Sequence, residues 1–286
     1  MTAPVGRPRV TSRGSFFVAD AHPLYDPDDP DAIACYAGGL RALHAGGVPF
    51  LVGGAYAFAR YTGIVRHTKD VDLFVRAADL PRALSALAAA GFRTEVTYSH
   101  WLAKAFRGHY FIDLIFNSGN GRGPVADDWF NGALDEVIFG ELVELCAPED
   151  LLWSKAFIME RDRFDGADIN HLVLACADRL DWPRLLARFA GHWRVLYAHL
   201  ILFGFAYPGE RDRVPGWVMD DLAGRLRAEL AVRPPSHRVC QGVLLAATQY
   251  LPDVERWGYE DARLEPHGTL TREQVDEWTD GVITGR

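Results

Sequence analysis

Cysteine, lysine and long apolar runs are scarce in this chain of 286 residues, and each scarcity excludes a class of protein. The four cysteines stand far apart without a C-x-x-C pair, which excludes a zinc cluster and a disulfide framework and favours a reducing, cytoplasmic setting. The most apolar stretch, Val195 to Pro208, is shorter than the roughly 20 residues that span a bilayer. We therefore expect a core helix there, and no membrane association.

Basic charge is also in short supply. Lys and Arg number 30 against 38 Asp and Glu, so the formal net charge is −8, which argues against a general nucleic-acid coat or a polybasic membrane binder. Neither an H-x-x-x-H metal motif nor a G-x-S-x-G nucleophile elbow occurs, so a hydrolase triad is not predicted. The basic amino terminus lacks an adjacent apolar stretch and predicts no secretory signal.

The pattern of apolar residues predicts helices mixed with strands in the first half of the chain and helices in the second half. Helical spacing of apolar residues and alternating runs predict helices over 31–45, 55–61 and 80–90 and strands over 48–52, 71–75, 92–97, 101–106 and 110–116. Helical patterns then follow over 148–161, 168–180, 183–205, 216–230, 237–250 and 271–280. We therefore predict an α/β (α+β) fold: a tail and lead-in over 1–30, a small mixed-sheet core over 31–146, and a mostly helical domain over 147–286.

Two carboxylates stand on one predicted strand of this core. Asp70 and Asp72 alternate with Val71 and Leu73, so both side chains point to the same side, about 7 Å apart along the strand. They repel each other, and a divalent cation would remove that repulsion. An exposed edge strand that discourages aggregation is the structural alternative.

A third carboxylate, Asp113, is the one charge within an apolar strand. A buried carboxylate is costly unless a positive group meets it, and that group is either a metal ion or an arginine such as Arg107. If this strand lies beside the strand of Asp70 and Asp72, three carboxylates converge. Two Mg²⁺ ions, or Mn²⁺, about 3.5–4 Å apart fit such a layout.

A glycine pair follows the short strand before the second helix. Because Gly53 and Gly54 lack Cβ atoms, backbone N–H groups there can approach phosphate oxygens at a helix end that favours anions. A plain tight turn is the structural alternative.

The combination of Gly53-Gly54, Asp70-x-Asp72 and Asp113 resembles the DNA polymerase β-like nucleotidyltransferase superfamily. The resemblance covers roughly residues 45–117 and is strongest to minimal bacterial members, including abortive-infection and toxin-type proteins. Ala55 departs from the Gly-Ser form of the signature, which would offer a hydroxyl. The resemblance implies a nucleotidyltransferase core in which all three carboxylates are catalytic and hold metal.

The implied reaction moves a nucleoside monophosphate from a nucleoside triphosphate to an acceptor, with release of pyrophosphate. A small molecule, a tRNA end and a protein all stay open as acceptors, and an antitoxin stays open as a partner. From other classes, a catalytically silent nucleotide-binding module of the same fold and a two-metal phosphodiesterase or nuclease stay open. An Arg or Asn at position 70 or 113 would have favoured the silent module, and both positions are Asp.

Three cations complete the predicted site. Lys155 lies on an otherwise apolar helix face and either reaches the triphosphate or extends to solvent. Arg66 and Lys69 flank the carboxylates and either orient phosphates or balance local charge. Asp165 and Asp168, which follow Lys155, have the spacing of helix-capping residues.

Overall fold

The computed structural model describes residues 29–66, 68 and 70–284. Nearly all of the predicted tail and Lys69 lie outside these residues. The helices of the amino-terminal half are α1 (Pro30–Ala45), α2 (Gly54–Thr62), α3 (Leu80–Ala89) and α4 (Asp127–Phe130). Its strands are β1 (Leu51–Val52), β2 (Asp70–Phe74), β3 (Arg93–Tyr98), β4 (Leu102–Arg107), β5 (Tyr110–Ile115), β6 (Leu134–Ile138) and β7 (Glu141–Leu145).

The seven strands form one mixed sheet in the order β3-β4-β5-β2-β1-β7-β6. β2 pairs parallel with β5 and antiparallel with β1. One face of the two central strands packs in the core, where Val71, Leu73, Ile112 and Leu114 are fully buried. The residues that alternate with them therefore lie on the opposite face, and this arrangement confirms the predicted mixed α/β fold.

The chain turns helical after β7. The later helices are α5 (Pro148–Ala156), α6 (Gly166–Cys176), α7 (Trp182–Arg188), α8 (Trp193–Ala206), α9 (Gly216–Leu230), α10 (Leu251–Glu255) and α11 (Arg272–Thr284), and a small parallel sheet joins β8 (Val239–Cys240) to β9 (Glu260–Asp261). Helix α8 covers most of the core helix predicted over Val195 to Pro208 but ends at Ala206. The four cysteines are buried and free. The domain boundary predicted near residue 146 stays a prediction.

Several predicted helices end early or are replaced. Helix α5 ends at Ala156 rather than near Arg161, because the Met159 amide donates to Leu245 O and Met159 also bridges to Phe164. The predicted helix over 183–205 is two helices joined by a 3-10 turn that contains Gly191. The helix predicted over 237–250 is wrong, because its first residues pair in the small sheet and a 3-10 turn follows.

Two boundaries in the core also differ. Strand β6, which pairs antiparallel with β7 at the sheet edge, was not predicted. Leu134 and Val137 are exposed there, so the alternation of apolar and polar residues along β6 is weak. Helix α1 begins at Pro30 within the predicted lead-in, because Asp29 accepts a hydrogen bond from the Ala32 amide and caps the helix.

Candidate active site

The three predicted carboxylates lie on two neighbouring strands. Asp70 and Asp72 alternate with buried residues on β2, and Asp72 stands opposite Asp113 in the parallel pairing of β2 with β5. All three side chains line one cleft. The neighbouring position of the two strands, on which the sequence argument depended, is thus present in the structure.

Gly54 is required by two independent features of the turn between β1 and α2. Its φ is +52°, a conformation that side-chain-bearing residues rarely adopt. In addition, a Cβ atom at this position would overlap the carboxylate of Asp72 and lie 2.9 Å from Asp72 Cβ. At Gly53, a Cβ would come within 2.8 Å of Phe74 Cδ2. The absence of both side chains therefore lets the start of α2 approach Asp72 and Phe74.

The amino terminus of α2 faces the cleft. Among the described residues, no side chain caps this helix. The first amides of a helix lack partners within it, and the helix dipole makes this end attractive to anions. The helix start is therefore suited to an anion such as a phosphate.

Asp72 carries unfavourable negative charge. Burial raises its pKa to about 7, and the charges of Asp70 and Asp113 act in the same direction, while Lys155 and Arg163 oppose the shift. Asp70 accepts a short hydrogen bond from the Thr68 hydroxyl. Among the described residues, Lys155 and Arg163 therefore neutralise Asp72 only in part.

Asp113 is met by a lysine instead of the arginine suggested from the sequence. Lys104 lies opposite Asp113 in the β4–β5 pairing, and its Nζ is 2.8 and 3.1 Å from the two carboxylate oxygens. Burial raises the pKa of Asp113, and Lys104 offsets part of that shift. Arg107 donates to the Ala90 carbonyl, so the suggested pairing of Arg107 with Asp113 is wrong.

Lys155 lies within a cluster of alternating charges rather than extending to solvent. Its Nζ is 2.8 Å from Asp168 Oδ2 and 3.3 Å from Asp165 Oδ2. Arg66 pairs with the other oxygen of Asp168, and Arg163 donates to Asp165. This cluster, which we call the cation cluster, has three positive and two negative groups.

The two carboxylates of the cation cluster do not cap α6, in contrast to the structural alternative raised from their spacing. Asp165 occupies the N-cap position without a side-chain capping bond. Burial acts to raise its pKa, but the hydrogen bond from Arg163 and the charge of Lys155 outweigh it, so its pKa is lowered. Both carboxylates therefore hold cations in place beside the cleft.

The cleft has a volume of about 650 Å³. Its lining includes Gly54, the three sheet carboxylates, four members of the cation cluster and an aromatic wall, described below. Lys69 lies outside the described residues. The other predicted site residues all border this cleft, apart from Gly53, which adjoins it through Gly54.

The fit of these residues to a divalent cation is partial. Across 29–66, 68 and 70–284, no three Asp, Glu, His or Cys side chains are arranged to hold a metal ion. At Asp113, Lys104 contacts both carboxylate oxygens. Carboxylate oxygens are nevertheless the ligands that Mg²⁺ prefers, and the raised pKa of Asp72 marks negative charge that a cation would neutralise.

Sequence reasoning missed three polar residues of the site. Lys104 had a usable signal, since it is one of three lysines and lies on a strand next to that of Asp113. Thr68 and Arg163 had none, because their roles depend on side-chain directions in loops.

Comparison with known proteins identifies the family. A family model described as an uncharacterised nucleotidyltransferase matches residues 40–202, more than half of the chain. The chain belongs to this family. The match includes every predicted site residue, and it makes the protein a nucleotidyltransferase, as the sequence resemblance predicted.

Solved structures similar to this nucleotidyltransferase include the antibiotic-resistance factor ANT(2'')-Ia, with 19% identity, a TM-score of 0.42, and coverage of 60% of this chain and 97% of that one. The lincosamide antibiotic adenylyltransferase LnuA, solved with lincomycin, has 16% identity, a TM-score of 0.36, and coverage of 50% and 96%. JHP933 from Helicobacter pylori has 10% identity, a TM-score of 0.36, and coverage of 72% and 98%. The search of curated proteins gave no match.

This nucleotidyltransferase has, within its described residues, no helix that is both long and apolar enough to cross a membrane.

Proposed function

We propose that this nucleotidyltransferase moves a nucleoside monophosphate from a nucleoside triphosphate to an acceptor hydroxyl and releases pyrophosphate, with Mg²⁺ or Mn²⁺ as cofactor. The observation that carries the proposal is the register of Asp72 opposite Asp113 beside the glycine start of α2. Acidic oxygens and a helix amino terminus, which attracts anions, line one cleft, and this supports a triphosphate as the donor.

In the proposed reaction the acceptor oxygen forms a bond to the α-phosphorus. The bond from the α-phosphorus to the oxygen that bridges it to the β-phosphorus breaks, and pyrophosphate leaves with that electron pair. The proton of the acceptor hydroxyl passes to the carboxylate of Asp113, which Lys104 orients. When bound, divalent cations neutralise the charge that develops on the phosphate oxygens.

The remaining residues hold the donor. Asp70 and Asp72 would bind the cations, and the helix start at Gly53 and Gly54 would bind the outer phosphates. Lys155 and Arg66 of the cation cluster would contact the same phosphates. Asp165 and Asp168 would hold these two cations in position. The role of Lys69 stays a prediction from its place beside Asp70.

The four free cysteines suit the cytoplasm, which we propose as the location. An antitoxin partner, which the sequence resemblance left open, stays a prediction.

The test uses each of the four nucleoside triphosphates, labelled at the α-phosphate, with the protein, Mg²⁺ and a cell extract. We expect one or more of them to pass label to the extract with matching release of pyrophosphate, and EDTA to stop both. Asp72→Asn should reduce transfer at least about a hundredfold, whereas Asp162→Asn, which removes an exposed carboxylate far from β2 in the chain, should not. Nucleotide binding without any transfer would favour the silent module.

A further inference from the structure

The cleft lining changes from acidic to apolar side chains along β2 and β5. Because β2 and β5 are parallel, the pair Asp72 and Asp113 is followed, two residues on, by Phe74 and Ile115 on the same face. The residues that continue the cleft beyond them are mainly aromatic or aliphatic, and we call them the aromatic wall: Trp101, Trp129, Trp153, Leu244, Leu245 and Trp278.

The cation cluster borders helix α2. Arg66 precedes β2 in the chain and, like Lys155, lies over the ring of Phe58 in α2. The segment beyond β5 contacts the aromatic wall: Trp278 covers Gly119, where a Cβ would come within 2.7 Å of the Trp278 ring. The cleft that Asp113 lines thus has a charged part, suited to the triphosphate, and an apolar part.

The apolar end carries little charge among the described residues. Glu160, a carboxylate of the lining near Leu245, already accepts a hydrogen bond of 2.9 Å from the Ala247 amide. The basic side chains of the described lining belong to the cation cluster, and each is paired with a carboxylate. Such a wall neither attracts a polycation nor follows a phosphodiester backbone.

The polar loop beside the wall is occupied by its own contacts. Asn117 Oδ1 accepts from the amides of Ser118 and Gly123, and the Ser118 hydroxyl donates to Asn120. Asn120 Nδ2 donates to Leu244 O at 2.9 Å. These bonds hold the loop against the 244–245 turn. This end then offers stacking and apolar contact, together with the indole N–H groups of Trp101 and Trp129, which have no hydrogen-bond partner among the described residues.

Half of the wall lies beyond the match to the family model. Leu244, Leu245 and Trp278 follow residue 202, where the match to the family model ends. Trp278 is held from behind by Arg263, whose guanidinium lies 5.7 Å from its ring centre. Arg263 in turn is bonded to Asp261, and both are almost fully buried. The part of the chain beyond the matched residues thus supplies one tryptophan and two leucines of the wall.

We propose that the acceptor is a small organic molecule, neutral or singly charged, that stacks an apolar or aromatic face on the aromatic wall and presents a hydroxyl to Asp113. This inference rests on the proposed function and narrows its acceptor. The hydroxyl oxygen takes the nucleoside monophosphate, its proton passes to Asp113, and pyrophosphate leaves.

The experiment follows α-labelled nucleotide into fractions of a cell extract. We expect the labelled product to resist nuclease and protease, to pass a filter that retains macromolecules, and to be retained on a reversed-phase column. Label in RNA, in protein or in a polar compound that is not retained would overturn the inference and leave the proposed function standing. If no nucleotide passes label to any fraction, the proposed function fails and the inference fails with it.

Matched tryptophan variants test the wall itself. Trp278→Ala should lower transfer at limiting extract at least tenfold and leave the Kd for each Mg²⁺-nucleotide within twofold, and Trp278→Phe should restore most of the transfer. Trp217→Ala, at an exposed tryptophan of α9 outside the cleft lining, should change neither. A weaker nucleotide Kd in Trp278→Ala would overturn the inference, because the wall would then hold the nucleobase.

Discussion

Lys104 Nζ lies 2.8 Å from one carboxylate oxygen of Asp113 and 3.1 Å from the other, across the β4–β5 pairing. Asp113 is 8% exposed, so this ion pair is largely shielded from water. The same carboxylate is the proposed acceptor of the substrate proton. Asp113 therefore has a structural partner in addition to its proposed role in the reaction.

We expect Asp113→Asn to lower transfer by at least about a hundredfold while nucleotide affinity stays within a few-fold, because a positioned base is lost. Its thermal midpoint without ligands should fall by roughly 2–4 °C, since Lys104 loses a charged partner. Labelled transfer, calorimetric binding and thermal unfolding measure the three effects.

The control for this substitution is Glu95→Gln, which removes the carboxylate opposite Lys104 on β3, where Glu95 pairs with the exposed Arg93. It should alter neither transfer nor stability appreciably. Undiminished transfer in Asp113→Asn would remove Asp113 from the mechanism.

The raised pKa of Asp72 predicts a pH-dependent stability. Its folded pKa of about 7 exceeds the usual value near 3.9, so between these limits the folded protein holds a proton that the unfolded chain has released. Stability should therefore fall as the pH rises through this window. Above pH 7 the full cost of the ionised carboxylate is present.

Asp72→Asn removes that cost. We expect its midpoint without metal to exceed the parent value by at least about 3 °C at pH 8, with the difference vanishing toward pH 4. Thermal unfolding of both proteins from pH 4 to 8 in EDTA measures it, with Asp162→Asn as the exposed control. A difference that is the same at every pH would contradict the assigned pKa.

Lys155 provides the third prediction. If it binds phosphate, Lys155→Met should raise the Kd for the Mg²⁺-nucleotide about tenfold or more, equivalent to about 1.4 kcal/mol or more. The variant should also be less stable, because Asp165 and Asp168 lose a shared cation. Calorimetric titration and thermal unfolding separate the two effects.

Arg161→Met is the matched control, since Arg161 is an exposed cation of the same region and pairs with an exposed aspartate. It should leave the Kd unchanged. If Lys155→Met loses stability but keeps its nucleotide affinity, Lys155 serves the cation cluster alone.

The sequence by itself determined the core of the fold and the positions of its acidic residues. Alternation along 71–75 fixes Asp70 and Asp72 on one face, because strand side chains alternate whatever surrounds them. The glycine pair likewise marks a helix start where backbone must come close to another group, and Gly54 against Asp72 is that contact. These inferences depend only on neighbouring residues, so they can be made from the sequence alone.

Only the tertiary structure determined which group pairs with each charged side chain. Asp113 finds Lys104 rather than Arg107 because strand pairing, which involves distant residues, sets the partner. Helix α5 stops at Ala156 because Met159 bonds to Leu245, a residue 86 positions further along. The aromatic wall is also a tertiary feature, since Trp101 and Trp278 come together only when α11 packs beside the sheet. Non-local contacts override helical periodicity and choose charge partners, and no local pattern records them.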